Sequence, residues 1–363
     1  MTSIVTASSG KVYLFDETGN VYDRENYTKI YSANEKIFDA KEFDGYIYFA
    51  TRNNLWRTKV GAWKAEKFAT FKNKDADYHP MYELNLVLYI GDGNLIAQVE
   101  DNIFTADALD LSKGCRVTAL GQFEYDLAIG TTRNTNDCKL YRWNTWSASW
   151  TVDDSVPEVG INAFLHMDNY TLVSAGNKGN LYVYDGQQLS RHKKIPGNYR
   201  GKSATVYKNA SCVYNGLPMF GFSNIKGNPA LQGVYSYGGY ASNYPNVLNL
   251  EYIPSNGYTE DMTIGALASV GDTLIVSWKR GNEYGIDEID ENNVYDGAFI
   301  ETRAIMLERD NFQSSEALVA YRKFSNNSKI EIWQKNNNEA YRKLETTNDK
   351  NRGIIYTKTH LKA

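Results

Sequence analysis

The sequence predicts an all-β fold, a seven-bladed β-propeller followed by a short C-terminal β-sandwich-like segment, with six blades as the alternative. Three observations carry this. The 363 residues include 28 Tyr and 28 Gly, and Asn is abundant. Tyrosine suits pleated, half-buried surfaces, while Gly and Asn supply the positive φ of tight turns. A strand–turn–strand unit recurs along the chain. No long segment repeats its apolar residues with helical spacing.

The recurring unit is a short apolar strand, a Gly/Asp/Asn turn, a second apolar strand, a Gly-Asn turn and a third strand. Its copies read VYLFDETGNVY from Val12, IYFATRNNLW from Ile47, VLYIGDGNLI from Val87 and DLAIGTTRNTNDCKLY from Asp126. TLVSAGNKGNLYVY from Thr171, PMFGFSNIKGNPALQGVY from Pro218 and TLIVSWKRGNEYGI from Thr273 complete the series. Alignment on Tyr13, Tyr48, Leu88, Leu127, Leu172, Met219 and Leu274 gives spacings of roughly 35 to 55 residues, which brackets the period of four-stranded propeller blades. Ahead of three copies, Val117-x-Ala119, Ile161-x-Ala163 and Ile264-x-Ala266 alternate with period two, as expected of innermost strands crowded by neighbouring blades. Asp44-Gly45 and Gly271-Asp272 fit tight turns between first and second strands. Gly19-Asn20, Gly93-Asn94 and Gly179-Asn180 open third strands, and Trp63 and Trp150 are expected on fourth strands.

The pattern changes near Asp296. The expected division is a propeller over 1–297 and a β-rich segment over 298–363, where ALVAYRKF, KIEIWQK and GIIYTK alternate apolar and polar residues between Asn-rich turns. That segment is short for an independent module. A truncated chain, or a sheet completed by a partner, is the expectation.

Charge narrows the function classes. Thirty-nine basic against 43 acidic side chains leave a net charge of -4, which excludes nucleic-acid binding through bulk positive charge. No apolar run is long enough for a membrane span. The cysteines Cys115, Cys138 and Cys212 form no Cys-x-x-Cys pair; free thiols are expected, with a Cys115–Cys138 bridge left open. His79, His166, His192 and His360 are scattered without metal-ligand spacing, and His166 reads as an interior histidine. No nucleophile elbow, P-loop or dinucleotide fingerprint is present. No catalytic residue, cofactor or metal is therefore expected, and the chain is read as not an enzyme. Asp39, Glu42 and Asp126 near inner strands are the only hints of glycosidase carboxylates, and acids at hairpin turns mostly serve turn chemistry. The acidic run Asp287–Glu291 reads as a solvated strand edge.

Aromatic clusters are the better lead for binding. One is Trp143, Trp146 and Trp150 in YRWNTWSASW; the other is Tyr235, Tyr237, Tyr240 and Tyr244 in GVYSYGGYASNYPN. The candidate ligand-binding residues are Trp146, Tyr235, Tyr237, Tyr240 and Tyr244, since Tyr-rich loops with Ser and Asn give contact area at low entropic cost. Packing between blades is the competing role for the same rings.

YIGDGNLIAQV, FTADALDL, RVTALGQFEYDLAIGTT, LYRWNTWSASW, NLYVYDG and PMFGFSN…GVYSY, then IPSNGYTEDMTIGAL and IETRAIMLERD, form an ordered series. From about Tyr82 to Tyr356 the chain resembles a group of β-propeller virion structural proteins of tailed bacteriophages that carry a small β-sandwich after the propeller. The resemblance implies a building block of a tail, nozzle or appendage. It implies residence in the virion after synthesis in the host cytoplasm, with other virion proteins as partners in a symmetric homo- or hetero-oligomer. It brings no catalytic residues. Members usually extend beyond the point equivalent to Ala363. The alternative reading is a lectin-like propeller that binds a host-surface glycan or receptor; neither nucleic acid nor membrane is an expected partner.

Overall fold

The computed structural model describes residues 1–73, 76–133, 137–195, 203–227, 229–238, 246–254, 261–289, 316–321, 328–335, 339–348 and 354–358. The chain divides into two compact units, Met1–Asn293 and Val294–Ala363.

The first unit is seven antiparallel blades in chain order, each running from an innermost first strand outward, and the first strands of blades 6 and 7 are joined by one parallel bridge, Asn209 to Ala266. Blade 1 comprises Ser3–Thr6, Val12–Phe15, Asn20–Asp23 and Lys29–Ser32. Blade 2 comprises Asp39–Phe43, Tyr46–Ala50, Asn54–Lys59 and Glu66–Thr70, and blade 3 Met81–Leu84, Val87–Asp92, Leu95–Glu100 and Ile103–Asp110. Blade 4 is built from Arg116–Phe123, Asp126–Thr132, Cys138–Trp143 and Val152–Val156, and blade 5 from Ile161–Met167, Tyr170–Ala175, Asn180–Tyr184 and Leu189–Lys194. Blade 6 has Thr205–Tyr214, Leu217–Ser223, Gly233–Gly238 and Val247–Tyr252. Blade 7 has three described strands, Met262–Val270, Thr273–Arg280 and Glu283–Glu288. All seven residues on which the repeat was aligned fall on second strands, so the period in the sequence is the blade period.

The first strands adjoin one another in cyclic order, and that of blade 7 returns to that of blade 1. Blades lock by one recurring device. Gly91, Gly130 and Gly221 on second strands each receive the β-branched residue of the next blade's first strand. A Cβ at these glycines would lie 2.7 Å from Val117, 2.6 Å from Ile161 and 2.5 Å from Ile264. The first strands of blades 4, 5 and 7 are not the clean alternation the sequence led one to expect. Each carries a β-bulge, between Val117 and Ala119, Ile161 and Ala163, and Ile264 and Ala266. The extra residue re-aims its side chain toward a neighbour: Thr118 Oγ1 donates to Ile161 O of blade 5 at 2.6 Å. Trp63 and Trp150 lie in the loops before the fourth strands rather than on them: Trp63 reaches across to Tyr13 of blade 1 at 4.7 Å, and Trp150 packs on Tyr141 of its own blade at 5.2 Å.

Side chains also cross the middle of the ring. Asp39, buried at the head of blade 2, accepts from Met81 N at 2.8 Å and from Asn209 Nδ2 of blade 6 at 2.8 Å, and pairs with Lys208. Asn209 also donates to Thr2 O of blade 1 at 2.7 Å. Burial pulls the Lys208 ammonium below its ordinary pKa, against the raising effect of Asp39.

Blade 1 meets blade 7 through Val12, Leu14 and Ile275. Two ion pairs flank that seam, Arg24 to Glu288 at 2.6 Å and Lys279 to Glu17 at 2.5 Å. The start of the acidic run, Asp287 and Glu288, was expected to be a solvated edge. Instead Asp287 accepts from Trp278 Nε1 and Tyr252 OH, and Glu288 binds Arg24 and Tyr27.

In the second unit, Glu316–Ala320 pairs antiparallel with Ile354–Lys358, and Ile330–Gln334 with Arg342–Thr347.

Two predictions test this architecture. Gly130→Ala overpacks the joint against Ile161 and lowers stability by about 1–3 kcal/mol, read as a lower urea midpoint. Lysine and arginine hold the Glu17 and Glu288 carboxyls below their ordinary 4.5. Their contribution is therefore complete above that value and lost as pH falls through the lower folded values. Protection against hydrogen exchange, corrected for the intrinsic pH dependence of amide exchange, should fall in blades 1 and 7 on acidification before it falls in blades 3 to 5, and Glu288→Gln should remove part of this pH dependence.

Candidate interaction surface

The antiparallel order sorts the connections onto two faces. Turns joining first to second and third to fourth strands share one, here the hairpin face. Second-to-third turns and blade-to-blade connections share the other, the crossover face.

On the hairpin face, blades 3 and 4 expose large apolar side chains: Leu86 82%, Ile103 66%, Tyr125 81% and Trp146 89%. Leu86 sits in the two-residue turn Asn85-Leu86 with φ of 53° and 62°, a conformation that favours Gly. Asn85 Nδ2 donates to Tyr125 O at 3.4 Å, so the inner turns of the two blades touch. Ile103 follows the turn Asp101-Asn102, and Trp146 follows Thr145, whose φ is 68°. Asn144 Oδ1 shapes the Trp146 loop by accepting from Trp146 N, Ser147 N and Ser147 Oγ. The Tyr89 hydroxyl of blade 3 hydrogen-bonds the Thr145 side chain, which ties the Trp146 loop of blade 4 to its neighbour.

The candidate residues read from the sequence separate into three groups. Trp146 is presented to solvent. Its companions are not: Trp143 is buried beside Tyr89 at 5.7 Å, and Trp150 packs on Tyr141. Tyr235 and Tyr237 are corrected to core residues. They lie on the third strand of blade 6, where their rings fill the space among Phe222, Leu248 and neighbouring apolar side chains, and neither can stack on a ligand. Their hydroxyls are satisfied internally, Tyr235 donating to Leu231 O at 2.7 Å and Tyr237 to Asn246 Oδ1 at 3.0 Å. Burial pushes the Tyr237 phenol up to about 12. Tyr240 and Tyr244 lie outside the described residues. Leu86, Ile103 and Tyr125 were missed. The available signal was a leucine where a two-residue hairpin turn calls for glycine.

The carboxylates near inner strands are engaged. Asp39 is filled as described, Glu42 accepts from Ser8 N and Oγ, and Asp126 lies 2.9 Å from Arg142. The cysteines are all free thiols; burial raises Cys138 and Cys212 to about 12. Among the described residues no group of three or more His, Cys, Asp or Glu is placed to hold a metal. His166 is half-buried, with Nδ1 3.4 Å from Thr171 Oγ1.

The crossover face carries an open cleft of about 540 Å³ lined by Glu35, Lys36, Phe38, Arg52, Asp77 and Tyr78. Asp77 takes Arg116 at 3.0 Å and Arg52 at 3.9 Å, and Lys36 covers the Phe38 ring. Its cations are thus largely answered from within.

No family model matches the chain, and no curated protein does. Solved structures do. The β-propeller domain of Cps50 (Swd1) from Myceliophteria thermophila is 12% identical with a TM-score of 0.56, covering 80% of this chain and 97% of that one. A chain of the Mitotic Checkpoint Complex is 13% identical, TM-score 0.58, covering 82% and 90%. The WD40 β-propeller domain of Doa1 is 10% identical, TM-score 0.52, covering 73% and 85%. The chain is a β-propeller. At these identities the likeness establishes the propeller fold and nothing finer.

The exposed turn of the propeller gives a direct test. A leucine at φ 62° with its side chain in water is strained without packing in return. Leu86→Gly should raise stability by about 0.5–1 kcal/mol, read as a higher urea midpoint.

Proposed function

We propose that this propeller is a non-enzymatic interaction platform and a structural protein of a tailed-bacteriophage particle, seated in the tail, a nozzle or an appendage. The observation that carries the platform reading is the concentration of Leu86, Ile103, Tyr125 and Trp146 on one face of blades 3 and 4. Four large apolar side chains grouped on a rigid surface are a feature of contact sites rather than of an idle surface. The ring beneath them holds their turns in fixed register, so docking orders little of the protein itself. The Mitotic Checkpoint Complex neighbour is a propeller within an assembly, which is in keeping with this use of the fold. The virion assignment draws on the ordered sequence resemblance from Tyr82 to Tyr356. Residence in the particle and virion protein partners belong to the same proposal. The lectin-like alternative retains Trp146 as its exposed ring, since Tyr235 and Tyr237 are buried.

Mass spectrometry of purified particles should find the chain in a fixed ratio to the capsid protein; its absence from particles would end the virion reading. A Leu86→Gly, Trp146→Ala double variant should fold normally yet enter particles about tenfold less well, as expected when contact anchors are truncated. Undiminished incorporation would remove this face from the assembly contact.

A further inference from the structure

Acidic residues of blades 3 and 4 occur at both ends of their strands, but the basic ones, with one exception, are kept away from the hairpin face. Glu83, Glu100, Asp101 and Glu124 are exposed at the hairpin-face ends of their strands, beside the apolar side chains. None of the four has an ion-pair partner among the described residues. The basic residues of the same blades lie at the other end. Arg116 and Lys139 begin or nearly begin their strands at the crossover face, and Lys113 and Arg133 occupy its connections. The exception, Arg142, is committed to Asp126 at 2.9 Å and to Gly186 O at 3.3 Å.

Resting on the platform reading, we propose that the hairpin face of blades 3 and 4 docks a basic segment of a partner protein, its apolar side chains against Leu86 and Tyr125 and its Lys or Arg residues against Glu100 and Glu124. An apolar centre excludes water, and an uncompensated acidic rim selects the sign of what approaches. A neutral partner would leave the four carboxylates uncompensated, and an acidic one would be repelled. The strained turns at Leu86 and Thr145 fit the same site, because strain that packing within the chain does not explain gathers where contacts are made.

The test uses the full chain and two synthetic peptides with the same Leu and Trp anchors, one carrying Lys between them and the other Glu. Binding is followed by calorimetry and by Trp fluorescence. The Lys peptide should bind at least about tenfold more tightly than the Glu peptide at low salt. The contrast should vanish in the Glu83→Lys, Glu100→Lys, Glu124→Lys variant. Binding should also fall in Leu86→Gly, Tyr125→Ser, with the urea midpoint of that variant not lowered. Equal binding of the two peptides overturns the proposal. So does loss through charge reversal alone with the apolar variant unaffected, which marks diffuse attraction. Self-association of the wild-type chain through this face in sedimentation overturns it in favour of a second copy as occupant. If the peptides fail to differ while the Leu86→Gly, Trp146→Ala variant still enters particles poorly, the partner chemistry falls and the platform stands. If the chain is missing from particles, the virion reading falls whatever the peptides do.

Discussion

The constraint on which the fold depends is the joint between adjacent blades. A second-strand glycine leaves room, and a β-branched side chain from the next first strand fills it: Gly91 with Val117, Gly130 with Ile161, Gly221 with Ile264. The fit leaves no space for even one more carbon, so each joint fixes the approach of two sheets closely. Close packing of this kind transmits position well because interiors resist compression. At the junctions of blades 3 with 4, 4 with 5 and 6 with 7, it fixes where the turns of those blades stand.

Closure is handled differently. The seam between blades 1 and 7 combines a small apolar contact at Val12, Leu14 and Ile275 with ion pairs at its exposed margin. Across the middle, Asp39 gathers Met81, Lys208 and Asn209 from blades 3 and 6. A buried carboxylate is costly unless its lone pairs are filled. Here both oxygens are filled, from two blades besides its own, so the network holds only when the ring is complete. Asp39 is thereby explained as a structural acid, although its place near an inner strand first raised a catalytic possibility.

What was legible in the sequence follows from these joints. Second strands are buried on both faces and must meet the same neighbours in every blade, so Tyr13, Tyr48, Leu88 and their counterparts recur at the blade period. The bulges were not legible, because Val117-x-Ala119 reads as simple alternation when the partner strand is unseen. The aromatic candidates failed in part for a related reason. A tyrosine in a Gly/Ser/Asn-rich stretch has one composition whether it points to solvent or into a blade. Tyr235 and Tyr237 are on a strand that the loop-like composition concealed. Trp146 differed from Trp143 only through the turn that Asn144 builds, a distinction set by backbone hydrogen bonds rather than residue type.

The turns answer to weaker demands. A hairpin needs two residues that reach positive φ, and beyond that its side chains are free of the packing that governs the joints. Leu86 departs even from the local demand, taking strain and exposing an apolar side chain together. Neither property serves the ring, since the strand pairing on either side is regular without them. The same holds for Tyr125 and Trp146, whose removal would open no cavity. Residues that cost the isolated chain something and stabilise nothing within it have their physical rationale outside it. In a scaffold whose joints are tightly prescribed, the hairpin face is where such residues can be placed without disturbing the fold.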